Sequence, residues 1–255
     1  MSDLESVRTR LSAAGFVAAD EEASELLQGS NGDPVELESR LKRRLDGEPL
    51  AWITGFATFC GLEIRVDPGV YVPRWQSEPL ARRAAARLPQ RGIAIDVCTG
   101  AGAIAKVLLA EKPRARVTGT DIDERAVTCA KSNGVDARCG DLFAPLSPDL
   151  EGCVDVVIGV VPYVPTQSMS LLARDTLEFE SPLSYDGGPE GLDVLRRVLE
   201  GGHRFLRPGG SVFLEVGGPQ AELLRDDLAR WGFEDLTVLF DDDGDLRGLE
   251  ATRTA

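Results

Sequence analysis

Ile93-Ala94-Ile95-Asp96-Val97-Cys98-Thr99-Gly100-Ala101-Gly102-Ala103-Ile104-Ala105 decides the fold. The apolar, β-branched run at its start predicts a strand, the two glycines a tight turn, and the Ala/Leu-rich stretch 103–110 a helix. Together they form the first half of a βαβ unit. Gly100 and Gly102 let the backbone turn sharply and approach a ligand with no Cβ in the way. The unpaired N–H groups at the helix start face whatever binds there. A second strand over 116–120 ends at Asp121, where a carboxylate can accept hydrogen bonds from both hydroxyls of a ribose. An adenosine-containing cofactor is the reading. Gly100-x-Gly102-x-x-Ala105 also satisfies the loose dinucleotide pattern, so this stretch alone admits either a nicotinamide cofactor or S-adenosylmethionine (SAM).

Working outward, 255 residues hold one large α/β domain and a small accessory one. Hydrophobic residues at 43% and charged ones at 27% match an ordinary water-exposed fold. No apolar run reaches membrane-spanning length. The start Met1-Ser2-Asp3-Leu4-Glu5 lacks the basic and apolar regions of a signal peptide. A cytoplasmic protein with no membrane partner is expected. The net charge of −14 repels a phosphate backbone and argues against DNA or RNA as partner. Arg82, Arg83, Arg87 and Arg91 read as a solvated helix face. Cys60, Cys98, Cys129, Cys139 and Cys153 contain no C-x-x-C pair, and His203 has no ligand-spaced neighbour. Reduced structural thiols and no metal site are expected.

In chain order, helical spacing of Leu4, Val7 and Leu11, of Ala23, Leu26 and Leu27, and of Leu37, Leu41 and Leu45 predicts a helical unit. It occupies residues 1–46 as an N-terminal domain, with Asp33 capping a helix that starts at Pro34. Residues 47–78 read as a linker that turns at 47–55, a β-hairpin of 57–60 and 62–66 around Gly61, and a Pro-broken loop. That loop holds Arg74, Trp75 and Glu78, placed to close over a ligand. Residues 79–255 form the main domain. Its expected elements are helices at 79–87 and 124–132 and a short strand at 135–138 leading to Asp141 and Leu142, which would frame an adenine. An almost wholly apolar central strand follows at 154–161. The long connection 166–186 is read as irregular and mobile without substrate, with Glu178 and Glu180 as substrate-binding carboxylates. A helix at 192–207, a Pro208-Gly209-Gly210 turn, a strand at 211–216 and a helix at 220–231 come next. Segments 236–240 and 249–252 form a closing hairpin around the turn 241–245, at the sheet edge.

That ending selects the cofactor. A dinucleotide enzyme needs a second mononucleotide-binding half, whereas one sheet finished by a hairpin resembles the plan of the class I SAM-dependent methyltransferases. Further motifs resemble the HemK/PrmC family of release factor glutamine methyltransferases. They are Gly47-Glu48-Pro49-Leu50-Ala51-Trp52-Ile53-Thr54-Gly55, Val72-Pro73-Arg74 with Glu78, the stretch 96–105, Thr120-Asp121 and Gly140-Asp141-Leu142-Phe143. Pro162-Tyr163, Glu180-Ser181-Pro182-Leu183 with Gly187-Gly188-Pro189-Glu190-Gly191-Leu192, and Glu215-Val216-Gly217 continue the series in the family's order.

The resemblance implies a seven-stranded Rossmann-like α/β sheet with a small N-terminal helical domain. It implies SAM held at Asp96, Cys98, Thr99, Gly100, Ala101, Gly102, Asp121, Asp141, Leu142 and Val160. It also implies an acceptor positioned by Pro162 and Tyr163, the acceptor being a release-factor glutamine methylated at N5. At one place the chain departs from the family. Where the family reads Asn-Pro-Pro-Tyr, this chain reads Val160-Val161-Pro162-Tyr163. In the family the Asn side chain and a neighbouring carbonyl accept hydrogen bonds from the amide NH₂ and aim its nitrogen. Val160 offers no acceptor, so weak transfer to a release-factor glutamine is expected. The alternatives are a methyltransferase of a small molecule and a SAM-binding interaction protein without turnover.

Overall fold

The computed structural model describes residues 3–172, 174–241 and 243–254. Ser2 of the expected helical unit, residue 173 of the long connection and Asp242 of the last turn lie outside them.

Three amphipathic helices open the chain: α1 (Asp3–Ala13), α2 (Ala19–Gly29) and α3 (Pro34–Leu45). Asp33 caps α3 by accepting the Val35 N–H at 2.8 Å, with Pro34 in the first turn. Leu11, Ala23, Leu26 and Leu41 are fully buried in an apolar cluster of their own, which Ile53 joins. The expected turn at 47–55 contains a helix, α4 (Leu50–Thr54), ended by Gly55 in the left-handed region at φ 88°. Its cause is tertiary. Ala51, Trp52 and Ile53 are buried, and the Trp52 indole donates to the Val70 carbonyl at 2.9 Å. The hairpin of β1 (Phe56–Phe59) and β2 (Leu62–Arg65) follows.

The main sheet has seven strands: β3 (Ile93–Val97), β4 (Arg116–Asp121), β5 (Asp136–Cys139), β6 (Val154–Gly159), β7 (Leu206–Leu214), β8 (Phe233–Phe240) and β9 (Leu246–Arg253). Their order is β5-β4-β3-β6-β7-β9-β8. β3 to β7 run parallel; β9 is antiparallel to both β7 and β8. The closing hairpin is therefore folded back, with β9 inside and β8 at the edge.

Side chains alternate across the strands. Ala94, Val156 and Ile158 pack on the face covered by α5 (Glu78–Arg87), α6 (Ala103–Glu111) and α7 (Glu124–Ser132). Ile95, Val157 and Val212 pack on the other. A short α8 (Arg174–Phe179) interrupts the connection before α9 (Asp193–Phe205), and α9, α10 (Gln220–Leu223) and α11 (Arg225–Arg230) cover that second face.

Three expectations need correction here. The stretch 220–231 is two helices that break at Leu224. Pro208-Gly209-Gly210 lies inside β7 as a bulge, the four residues 207–210 between Leu206 and Ser211 standing opposite the single residue 155 between Val154 and Val156. Arg83 and Arg87 are no free solvated face, because both clamp Glu250, which is 2% exposed, at 2.6 and 2.5 Å. Among the described residues no helix is long and apolar enough to cross a membrane.

Candidate active site

Two cavities meet beyond the C-terminal ends of β3 and β6. The smaller is lined by Asp96, Cys98, Thr99, Gly100, Ala101 and Ile104. The larger, of about 430 Å³, is lined by Tyr163, Tyr185, Glu215, Gln76 and Arg247 among others. Val160, Tyr71 and Arg74 line both and form the shared wall.

On the cofactor side the turn is built around Asp96. Its Oδ2 accepts the Thr99 hydroxyl at 2.6 Å and the Ala105 N–H at 3.2 Å, tying the turn to the first helical residues of α6. Burial pushes its carboxyl up to about 7, with those two donors pulling the other way. Cys98, Gly100 and Gly102 all take positive φ, at 56°, 55° and 78°. A Cβ on Gly102 would stand 3.0 Å from Ala130 Cβ and Val135 Cγ2, so glycine there lets the turn pack on α7. A Cβ on Gly100 would meet nothing nearer than Tyr71 Cβ at 3.9 Å, so that side of the turn is open.

Asp121 closes β4 beside this turn. Its Oδ2 accepts the Gly100 N–H at 2.9 Å and its Oδ1 the Asp123 N–H at 3.0 Å. Each carboxylate oxygen retains a lone pair, which suits a pair of ribose hydroxyls. Leu142 has φ 48° and is buried; the Asp141 carboxylate is held by Arg197 at 2.5 Å. The open turn and the twice-accepting carboxylate fit an adenosyl group.

The acceptor side is assembled from five separate segments. The Tyr163 hydroxyl donates to Glu215 Oε1 at 2.9 Å and the Ser77 hydroxyl to Glu215 Oε2 at 2.5 Å. Glu215 is 6% exposed, and burial pushes its carboxyl up against those two donors. Burial, with the Glu215 charge beside it, also pushes the Tyr163 phenol up. Val161 is buried and Val160 half-buried. The segment 162–163 is pressed by two glycines. A Cβ on Gly191 would lie 2.1 Å from the Tyr163 carbonyl oxygen, and one on Gly187 2.7 Å from that of Pro162. Gln220 Nε2 donates to the Tyr163 carbonyl at 2.7 Å.

The connection expected to be irregular contains 3-10 turns at Thr166–Leu171 and Pro182–Ser184 flanking α8. Glu180, 4% exposed, ties it down. Its carboxylate accepts from the Val72 N–H at 2.9 Å, from Arg74 and from the Tyr185 hydroxyl. The rings of Tyr71 and Tyr185 lie 5.6 Å apart beside this cluster.

The other expected acceptor residues are dispersed. Trp75 is 61% exposed beneath the Arg247 guanidinium, which is 5.3 Å from its ring. Glu78 accepts the Cys60 N–H at 2.9 Å and so clips the hairpin to α5. Glu178 is exposed on α8. Sequence reasoning missed Tyr71, Gln76, Tyr185 and Arg247 as wall residues. No periodicity or spacing marks them, because only the fold brings 71–77, 184–185 and 246–247 together.

A glycine turn and a carboxylate at the ends of β3 and β4, in a sheet closed by a reversed hairpin, define a class I SAM-dependent methyltransferase. Residues 64–144 match the family model "Methyltransferase small domain". A release factor glutamine methyltransferase of Geobacter sulfurreducens is 33% identical over 208 residues, covering 79% of this chain and 72% of that protein. The 4-amino-L-phenylalanine/4-methylamino-L-phenylalanine methyltransferase of Streptomyces pristinaespiralis is 37% identical over 191 residues, 71% of this chain and 65% of that one. The solved structure of a methyltransferase from Pyrococcus furiosus superposes with a TM-score of 0.54 at 19% identity, covering 86% of this chain and all of the other; that likeness is one of fold. The chain belongs to the HemK/PrmC family of release factor glutamine methyltransferases, and SAM is its cofactor.

Proposed function

We propose that this chain methylates a side-chain amide nitrogen of glutamine in a protein, with a release factor as acceptor. One observation carries the reading. The 430 Å³ cavity shares the wall Val160, Tyr71 and Arg74 with the cofactor turn, so a group seated in it faces the transferable methyl. SAM supplies a methyl already activated by its sulfonium, which leaves the protein the work of alignment. Val160 and Val161 present apolar side chains to the large cavity. Tyr163, braced by Glu215 and Ser77, offers a flat face to a planar amide. Arg74 and Glu180 tie the connection to loop 70–77, and both segments line the cavity. The five unpaired thiols suit a cytoplasmic setting, and the net charge of −14 favours a protein or small-molecule acceptor over a nucleic acid.

The test is transfer from labelled SAM to a release factor, with the modified residue mapped by mass spectrometry. Label on a single glutamine is expected. Val160 favours a second reading, since it provides no hydrogen-bond acceptor and an amine needs less orientation than an amide. The Streptomyces relative is named for methylating an amino-phenylalanine. Label on small aromatic amines with none on the release factor moves the acceptor to that class.

A further inference from the structure

The amide acceptor just argued needs a partner that Val160 does not provide. We propose that Gln76 is that partner, the residue that orients the acceptor carboxamide in the cavity; the inference rests on the glutamine reading.

Gln76 lies in the 3-10 turn Trp75–Ser77 and lines the large cavity together with Val160 and Tyr163. Its Oε1 is buried and has no hydrogen-bond partner among the described residues. A buried amide oxygen left without a partner is rare in a folded chain and points to a group that arrives later. The charged side chains of the same wall are already engaged. Glu215 takes Tyr163 and Ser77, Arg74 takes Glu180 and Tyr185, and Arg247 takes Asp241 at 2.7 Å and Asp245 at 3.2 Å. The amide of Gln76 is left to meet a ligand.

The turn that carries Gln76 is fixed, while no hydrogen bond among the described residues holds its Oε1, so the amide is free to turn that oxygen toward the cavity. Ser77 donates its N–H to the Arg74 carbonyl at 3.1 Å and its hydroxyl to Glu215. Tyr163 bonds the other oxygen of the same carboxylate. Ser77, next to Gln76 in the turn, and Tyr163 are therefore held to one anchor, which puts a polar edge and an aromatic face on a common wall.

A carboxamide is the complement of a carboxamide. Gln76 Oε1 accepts an N–H of the acceptor, and Gln76 Nε2 donates to its carbonyl oxygen. Two parallel bonds fix the amide plane and leave its face, where the nitrogen electron pair must be presented, free for the cofactor side. A carboxylate of the same shape has no donor for Oε1, so the same residue separates glutamine from glutamate.

The experiment uses the full chain saturated with S-adenosylhomocysteine and two short peptides, alike except for one glutamine or glutamate. Binding is measured by calorimetry, and kcat and KM for the glutamine peptide are measured with SAM. The native chain is expected to prefer the glutamine peptide at least roughly tenfold. Gln76→Leu is expected to erase the preference and lower kcat/KM roughly tenfold to hundredfold, with S-adenosylhomocysteine affinity unchanged. Gln76→Glu, nearly isosteric, keeps an acceptor for the amide N–H and repels a glutamate side chain: its thermal midpoint should stay near native and the glutamine preference should persist, and loss of the preference in this variant overturns the inference. Val160→Asn is expected to recover transfer in the Gln76→Leu background and to add little to the native chain. Native-like preference and turnover in Gln76→Leu overturn the inference and leave the glutamine reading standing. A native chain that prefers neither peptide overturns both.

Discussion

The phenolic hydroxyl of Tyr163 donates to Glu215 Oε1 at 2.9 Å, bridging the segment after β6 to the end of β7. With Ser77 on the other oxygen, three segments far apart in sequence share one buried carboxylate. Tyr163→Phe leaves Glu215 with one donor in a site of 6% exposure. A loss of about 1–3 kcal/mol in unfolding free energy is expected. The acceptor KM should rise while S-adenosylhomocysteine affinity holds. Urea unfolding and steady-state kinetics check the two halves separately, and an unchanged KM would remove Tyr163 from the acceptor wall.

Asp121→Ala removes the carboxylate offered to the ribose and frees the Gly100 N–H that it holds at 2.9 Å. Calorimetric titration with S-adenosylhomocysteine should show affinity reduced roughly tenfold to hundredfold. Equal affinity places the ribose elsewhere.

Asp96 links stability to pH. Burial holds its carboxyl at about 7 against an ordinary 3.8, so the folded chain keeps a proton that the unfolded chain releases. The resulting stabilisation is fully present below about pH 4 and is lost as pH rises through 7. Asp96→Asn retains an oxygen for Thr99 and Ala105 and cannot ionise. Its unfolding free energy should vary less between about pH 5 and about pH 7.5 than that of the native chain. Parallel slopes for the two proteins reject this role for the group.

Glu180→Ala leaves Arg74, the Val72 N–H and the Tyr185 hydroxyl without their common partner. Breaking such a buried pair from one side costs about 3–5 kcal/mol. The half-exposed Arg74 guanidinium recovers part of this from water. Hydrogen exchange should rise at residues 70–76 and 182–186 together. Faster exchange in one segment alone would show that Glu180 does not join them.

The sequence by itself determined the strand, turn and helix that open the sheet of this protein. The strand, glycine turn and helix over 93–111, and the second strand ending at Asp121, are local patterns of apolar period and backbone freedom, and they form where they are read. Asp33 as a cap and Gly61 between two short strands belong to the same kind of signal. The acceptor half was settled only by tertiary structure. Glu180, read as a carboxylate for the acceptor, lies instead under Arg74, Val72 and Tyr185, because its neighbours come from 106 to 108 residues earlier and five later. Arg83 and Arg87, which look like a solvated helix face, meet Glu250 only once β9 is inserted beside β7. Gln76, in a loop without periodicity, acquires its meaning from being buried unpaired against a cavity that five segments enclose. Local chemistry writes a turn from its own backbone; a pocket walled by distant side chains exists only after the sheet has closed.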